Sequence, residues 1–322
     1  MREDDLPGVV VDVWVPGEGR YVLAKGKANF KTGEKRDLDD PFRIGSITKT
    51  FVATTVLQLV EEGKLSKSDK LSKWYPDFPD AEQITIEHLL RMQSGIVDPN
   101  EKIEQYTTPE EAIEASARLG GAFLPPGQRT EYTNINYVIL GEIITKVSGK
   151  DTDDQITQSI LKPLGMKNTL YPTDSDLPGD LHGYTLDFST GKLRDATSFN
   201  TVPVGGAGAM ISDVSDLKTW AKAVCTGKLL KDHTQKVRLR THDLSLLGEP
   251  DLAGYGEGIM KVSQFCGHSG DVPGFSSEMW YLPQKDATII LNVNRKDEFS
   301  PSPSGALTEA IAKILFPKYV ER

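Results

Sequence analysis

The chain has 322 residues, 38% hydrophobic and 26% charged, an ordinary balance for a soluble globular protein and long enough for one large core or two interleaved ones. Its formal net charge of −9 argues against a nucleic-acid partner, which needs a basic footprint on phosphate, and gives no polybasic reason to sit on an anionic membrane. No apolar run reaches the roughly 18 residues of a transmembrane helix, and the start MREDDLPGVVV lacks the charged-then-apolar layout of a signal peptide.

In chain order, GVVVDVWV alternates Val9, Val11, Val13 and Val15 with Val10, Asp12 and Trp14, the period of a strand. PGEG turns it into a second strand, RYVLAKG. From Ser46 the period becomes helical, with Phe51, Val52, Val56, Leu59 and Val60 in a stripe that stops near Gly63. Thr108, Pro109 and Glu111 make a capping-box start for EEAIEASARL, ended by Gly120. A helix over about 134–147 carries Tyr137, Leu140, Ile144 and Val147 on one side, and another after Ser212 carries Leu217, Trp220, Ala221 and Val224.

Strand signals return in SSEMWYLP and DATIILNVN, neighbours joined by PQKD, with Ala287, Ile289, Leu291 and Val293 alternating. SPSPSG reads as a loop before a last amphipathic helix bearing Leu307, Ile311, Ile314 and Leu315. Strands at both ends with helices between predict an α+β fold: an antiparallel sheet built from both chain ends, flanked by helices, with an inserted mainly helical region. The expected division is a discontinuous sheet domain of residues 1–63 and 203–322 around a helical domain of residues 64–202. Cys225 and Cys266 fit no Cys-x-x-Cys spacing; one disulfide and two buried thiols are both compatible, and free thiols are the favoured expectation.

Several familiar sites are absent. The chain has no His-Glu-x-x-His, no Gly-x-x-x-x-Gly-Lys and no Gly-x-Ser-x-Gly, GGAGAM lacks dinucleotide spacing, and five scattered histidines predict no metal and no cofactor. Ser-x-x-Lys occurs four times, at Ser46, Ser159, Ser189 and Ser215. At Ser46 the spacing sets serine and Lys49 on one helix face, where the positive end of the helix dipole and burial would lower the lysine pKa and make it a base for the hydroxyl. Taken alone, the motif favours the plainer reading of a serine N-cap and a solvated lysine. The chain's single Tyr-x-Asn, Tyr132 and Asn134, and single His-x-Gly, His268 and Gly270, each have a plain reading too: a half-buried aromatic, a helix cap, a satisfied histidine.

The three motifs in this order, with LQLVEEGKL, LLRMQSGI, LKPLGMKNT and GGAGAMIS, resemble the serine penicillin-recognising superfamily, in particular the group of class C β-lactamases, soluble DD-carboxypeptidases and family VIII esterases. The resemblance runs from about Pro7 to Phe316. It implies Ser46 as nucleophile, Lys49 as its activating partner, Tyr132 as proton shuttle and His268 as a further catalytic group. Asn134, Ser269 and Gly270 would contact substrate, and the backbone N–H groups of Ser46 and Asp271 would form the oxyanion hole. On a strand, His268 and Gly270 share a face while Ser269 points away, and glycine there permits close approach to the Ser46 helix. Tyrosine and lysine titrate together in such a site, so the motif leaves open which is the base.

The third motif has histidine where most β-lactamases have lysine, which weakens attraction for a substrate carboxylate, and the stretch before CGHSG offers only Lys261 for one. The resemblance implies a serine hydrolase acting through an acyl-enzyme on D-amino-acid peptides, in the manner of a DD-carboxypeptidase. The alternatives are a family VIII-type carboxylesterase with weak β-lactamase activity and a non-catalytic penicillin-binding homologue. The partner expected is a small-molecule or peptide substrate, and the compartment expected from the resemblance is extracytoplasmic; the sequence is silent on oligomeric state.

Overall fold

The computed structural model describes residues 6–99, 103–244, 253–298 and 300–320, so the first five residues of the stretch MREDDLPGVVV lie outside it. β1 (Gly8–Val15) and β2 (Gly19–Gly26) form the predicted N-terminal hairpin. Two short antiparallel pairs follow, β3 (Phe42–Arg43) with β6 (Ile211–Ser212) and β4 (Tyr184–Asp187) with β5 (Lys192–Asp195). The remaining strands are β7 (His242–Asp243), β8 (Ala253–Tyr255), β9 (Met260–Val262), β10 (Phe265–Val272), β11 (Phe275–Leu282) and β12 (Ala287–Val293). With the hairpin they make one eight-stranded sheet in the order β2-β1-β12-β11-β10-β9-β8-β7, antiparallel throughout. Val9 opposes Val293 and Val13 opposes Ile289, so the two ends of the chain meet in one sheet, and the fold is α+β as expected.

The helices are α1 (Thr48–Glu61), α2 (Ile86–Leu90), α3 (Pro109–Ala117), α4 (Ile135–Ser148), α5 (Thr152–Ile156), α6 (Lys162–Leu164), α7 (Val214–Thr226), α8 (Asp232–Arg238), α9 (Pro303–Leu315) and α10 (Pro317–Val320). A π-turn at Thr157–Leu161 joins α5 to α6. α3 starts on half of the predicted capping box: Thr108 accepts from the Glu111 amide, but Glu111 reaches the amide of Thr107. No described helix is long and apolar enough to cross a membrane.

α7 and α9 cover opposite faces of the sheet. On β11, Ser276 and Glu278 bond to serines of α9 and its cap, while Ser277 turns the other way to the Arg43 carbonyl. β12 is therefore buried at every position, and the alternation of Ala287, Ile289, Leu291 and Val293 separates two covered faces rather than inside from outside. α1 and α4 depart from their expected stripes for the same reason. α1 is buried continuously from Thr48 to Leu57, with Phe51 stacked on Trp220 of α7 at 4.3 Å, and α4 is buried continuously from Ile135 to Gly141. The hydroxyls of Thr54 and Thr55 return to α1's own carbonyls and that of Thr50 to the Ile47 carbonyl just before it, which satisfies polar groups that such burial would otherwise strand.

Three expectations need correction. Cys225 at the end of α7 and Cys266 in β10 form a disulfide, because α7 lies across β10 and sets their Cα atoms 6.0 Å apart. SPSPSG is a loop only to Ser302, since Pro303 opens α9 with its φ already suited to the first helical turn. Ile314 and Leu315 do not belong to the packed stripe of α9: they are 77% and 50% exposed, and Thr308 and Ala312 are buried instead.

Candidate active site

Ser46 sits in a single 3-10 turn, Gly45–Ile47, that leads into α1. Gly45 has φ +51, a left-handed conformation that glycine adopts without strain, and a Cβ there would stand 2.8 Å from the amide nitrogen of Asp271. Ser46 makes no capping bond to the helix. Its hydroxyl oxygen lies 3.0 Å from Nζ of Lys49, one turn on.

Lys49 is wholly buried. Its Nζ also donates to Oδ1 of Asn134 at 2.8 Å and to the Ala207 carbonyl at 2.7 Å, so Ser46 takes the remaining direction. The rings of Tyr132 and Tyr137 stand 4.8 Å and 5.9 Å from Nζ. Burial brings the lysine pKa down to about 7, against the opposing pull of the Asp98 carboxylate.

Tyr132 is half-buried in the approach to α4, with its hydroxyl sealed from solvent. That hydroxyl is near enough to Ser46 for the serine to draw its pKa down, yet no bond of ordinary geometry closes between them; burial dominates and pushes the phenol up. Asn134 precedes α4 without capping it. Its Nδ2 donates to Asp98 at 3.2 Å, and Asp98 accepts the amides of Asn134 and Ile135 in its place.

β10 supplies the opposite wall. Gly270 lies against the turn before Ser46: a Cβ there would be 1.9 Å from the Ile44 carbonyl oxygen and 3.0 Å from the Ser46 amide nitrogen. The amides of Ser46 and Asp271 are thus brought to the two sides of one glycine-to-glycine contact. His268 shares that face but is buried, with Nδ1 on the Ser269 carbonyl and Nε2 3.4 Å from the Tyr255 hydroxyl. Burial and the neighbouring Lys49 bring its pKa to about 3, so the ring is neutral. Ser269 points to the other face, and neither it nor His268 lines the cleft.

The cleft has a volume of about 680 Å³ and holds Ser46, Asn134 and Asp271 on its wall. The structure therefore gathers Ser46, Lys49, Tyr132, Asn134, His268, Gly270 and Asp271 around one turn and leaves Ser269 aside. Asp98, Arg194, Lys296 and Tyr255 are additions that no motif marked. Lys261 does not line the cleft; Arg194 of β5 and Lys296, beyond β12, do. Lys296 donates to the carbonyls of Asp297 and Ser300 at 2.7 Å and lies 4.0 Å from Asp271. Among the described residues no three His, Cys, Asp or Glu side chains are arranged to hold a metal ion.

The other Ser-x-x-Lys serines lie in different settings. Ser159 is in the π-turn, Ser189 bonds Asp187 in the β4–β5 turn, and Ser215 is exposed on α7. None of the three lines the cleft.

A family model described as Beta-lactamase matches residues 1–312. Protein flp of Staphylococcus aureus (strain N315) is 29% identical over 317 residues, covering 94% of this chain and 62% of that protein, so the chain spans about three-fifths of the length of such curated relatives. Among solved structures, a D-stereospecific amidohydrolase from Streptomyces sp. superimposes with a TM-score of 0.85 at 28% identity, over 98% of this chain and 95% of that one. A D-amino acid amidase from Ochrobactrum anthropi SV3 does so with a TM-score of 0.85 at 25% identity, over 98% and 94%.

Proposed function

The chain belongs to the beta-lactamase family, within the serine penicillin-recognising superfamily, and is a serine hydrolase of that group; from this premise we propose that it cleaves amide bonds of D-amino-acid peptides through an acyl-enzyme on Ser46, as a DD-carboxypeptidase does. The observation that carries the reading is the surroundings of Lys49. A neutral amine has two N–H groups and one lone pair. With the N–H groups on Asn134 Oδ1 and the Ala207 carbonyl, the lone pair falls toward Ser46. Burial favours the neutral lysine and the neutral phenol together, which makes Lys49 the base and leaves Tyr132 to pass a proton on.

In this reading Lys49 takes the hydroxyl proton as Ser46 Oγ bonds to the scissile carbonyl carbon. The oxyanion forms between the amides of Ser46 and Asp271. The proton returns through Tyr132 to the departing amine as the C–N bond breaks, and water then hydrolyses the acyl-serine by the same route in reverse. A D-configured acyl group is supported by the likeness to a D-stereospecific amidohydrolase and a D-amino acid amidase. An oxidising, extracytoplasmic compartment is part of the same proposal, and the Cys225–Cys266 disulfide supports it.

The test is hydrolysis of D-Ala-D-Ala peptides beside their L-counterparts and p-nitrophenyl esters, with intact-protein mass spectrometry after exposure to a penicillin. D-selective cleavage and a wild-type adduct absent from Ser46→Ala are expected. Ester turnover with no D-peptide cleavage would move the assignment to a carboxylesterase. Activity surviving Ser46→Ala would remove the nucleophile.

A further inference from the structure

Asp98 is enclosed by hydrogen bonds at the start of α4. Its Oδ1 accepts from the Thr133 hydroxyl at 2.7 Å and the Ile135 amide at 2.8 Å; its Oδ2 accepts from the Asn134 amide at 3.1 Å and from Asn134 Nδ2 at 3.2 Å. The two backbone bonds cap the helix, and a carboxylate suits the positive end of its dipole. The bond to Nδ2 has a separate consequence.

A carboxylate can only accept, and Lys49 donates to the opposite end of the same amide. Asn134 therefore has one orientation, with Oδ1 on Lys49 and Nδ2 on Asp98. One N–H of Nδ2 is committed to Asp98, and the other is left for the cleft that Asn134 lines. The carboxylate is separated from the lysine by that single amide.

We propose that Asp98, which does not touch the reacting atoms, is a positioning residue for the Ser46–Lys49 pair and acts through the Asn134 amide that bridges it to Lys49. The inference rests on the reading of Lys49 as the base for Ser46. The groups facing Lys49 come from four directions: Ser46 ahead of its own helix, Tyr132 and Tyr137 from α4 and its approach, the Ala207 carbonyl from the turn Val202–Ala207, and His268 from β10. Burial holds both phenols protonated and His268 neutral. Among the described residues, Asp98 is the charge that pulls Lys49 toward its ammonium form. Removing the charge frees the lysine at lower pH, and displacing the carboxylate unsettles the amide.

The experiment follows the rate at which a fluorescent fluorophosphonate labels Ser46, a probe that asks only for an activated serine, from about pH 5 to pH 9. Wild type, Asp98→Asn and Asp98→Glu are compared, with thermal melting alongside. In Asp98→Asn the acid limb is expected to move down by roughly one pH unit, because an opposite charge near Lys49 is lost. In Asp98→Glu, which keeps the charge and moves it by one methylene, the limb is expected to stay while the plateau falls by about tenfold.

An Asp98→Asn limb at the wild-type pH overturns the proposal, since a merely structural role would lower the rate without moving its pH dependence. If Asp98→Asn does not fold, a full-rate Asp98→Glu overturns it instead. A wild type that is never labelled would overturn this proposal together with the Lys49 reading, whereas a labelled wild type with unmoved variants overturns this proposal alone.

Discussion

Gly270 and Ile44 meet so closely that a Cβ on Gly270 would stand 1.9 Å from the Ile44 carbonyl oxygen. The contact fixes β10 against the turn that carries Ser46, and it places the Asp271 amide beside that of the serine. Gly270→Ala must push the strand away by more than an ångström. Labelling of Ser46 by a fluorophosphonate is expected to slow by roughly 10²-fold or more, the scale of losing one oxyanion donor. Near-wild-type labelling in a folded Gly270→Ala protein would show that the Asp271 amide is not needed.

Turnover depends on a lysine that must lose its proton. With the Lys49 pKa at about 7, the ammonium prevails below that value and cannot accept from Ser46. The acid limb of kcat/KM is therefore expected at about pH 7, with activity rising as pH rises through it. A profile flat from about pH 5 to pH 8 would point to a base other than Lys49.

Glu278 offers a pH effect on stability rather than on activity. It is buried against α9, accepts from Trp280 Nε1 and the Ser304 hydroxyl, and burial raises its pKa to about 8. A carboxyl raised above its unfolded value of about 4.3 contributes stability in full below that value and loses it as pH rises through the folded pKa. Glu278→Gln keeps the shape and removes the ionisation. Between about pH 4.3 and pH 8, wild type is expected to lose roughly 2 °C of Tm per pH unit relative to the variant, and the loss levels off above about pH 8. Parallel Tm curves for the two proteins from about pH 5 to pH 8 would contradict a buried, protonated Glu278.

The disulfide between Cys225 and Cys266 closes a loop with a sequence separation of 41. Restricting an unfolded chain over such a loop is worth about 4 kcal/mol. Replacing both cysteines by serine is expected to lower Tm by roughly 6 °C in a chain of this size. Activity at 25 °C should persist, because the Gly270 contact and the Lys49 bonds do not run through either sulfur. An equal Tm in the double variant would mean the bridge adds nothing to stability.

Each of these tests draws on a different layer of the molecule, and the layers were not equally legible in the sequence. Ser46 with Lys49, and Tyr132 with Asn134, stand a few residues apart, and the structure places each pair as local geometry requires. The antiparallel sheet from both chain ends was legible because strand period and hairpin turns are local signals. Asp98, Arg194, Lys296 and Tyr255 carry no such signal, since each reaches the site from a loop or strand distant in the chain. The Cys225–Cys266 pairing depended on how α7 lies across β10, which spacing along the chain does not encode. The apolar stripes of α1, α4 and β12 misled for one reason. Periodicity marks the side of an element that meets water, and an element enclosed on every side has none. Sequence alone thus determined which short motifs were present and which elements they opened. Tertiary packing decided what enclosed Lys49, and so its charge, because desolvation and opposing charge come from residues that only the fold brings near.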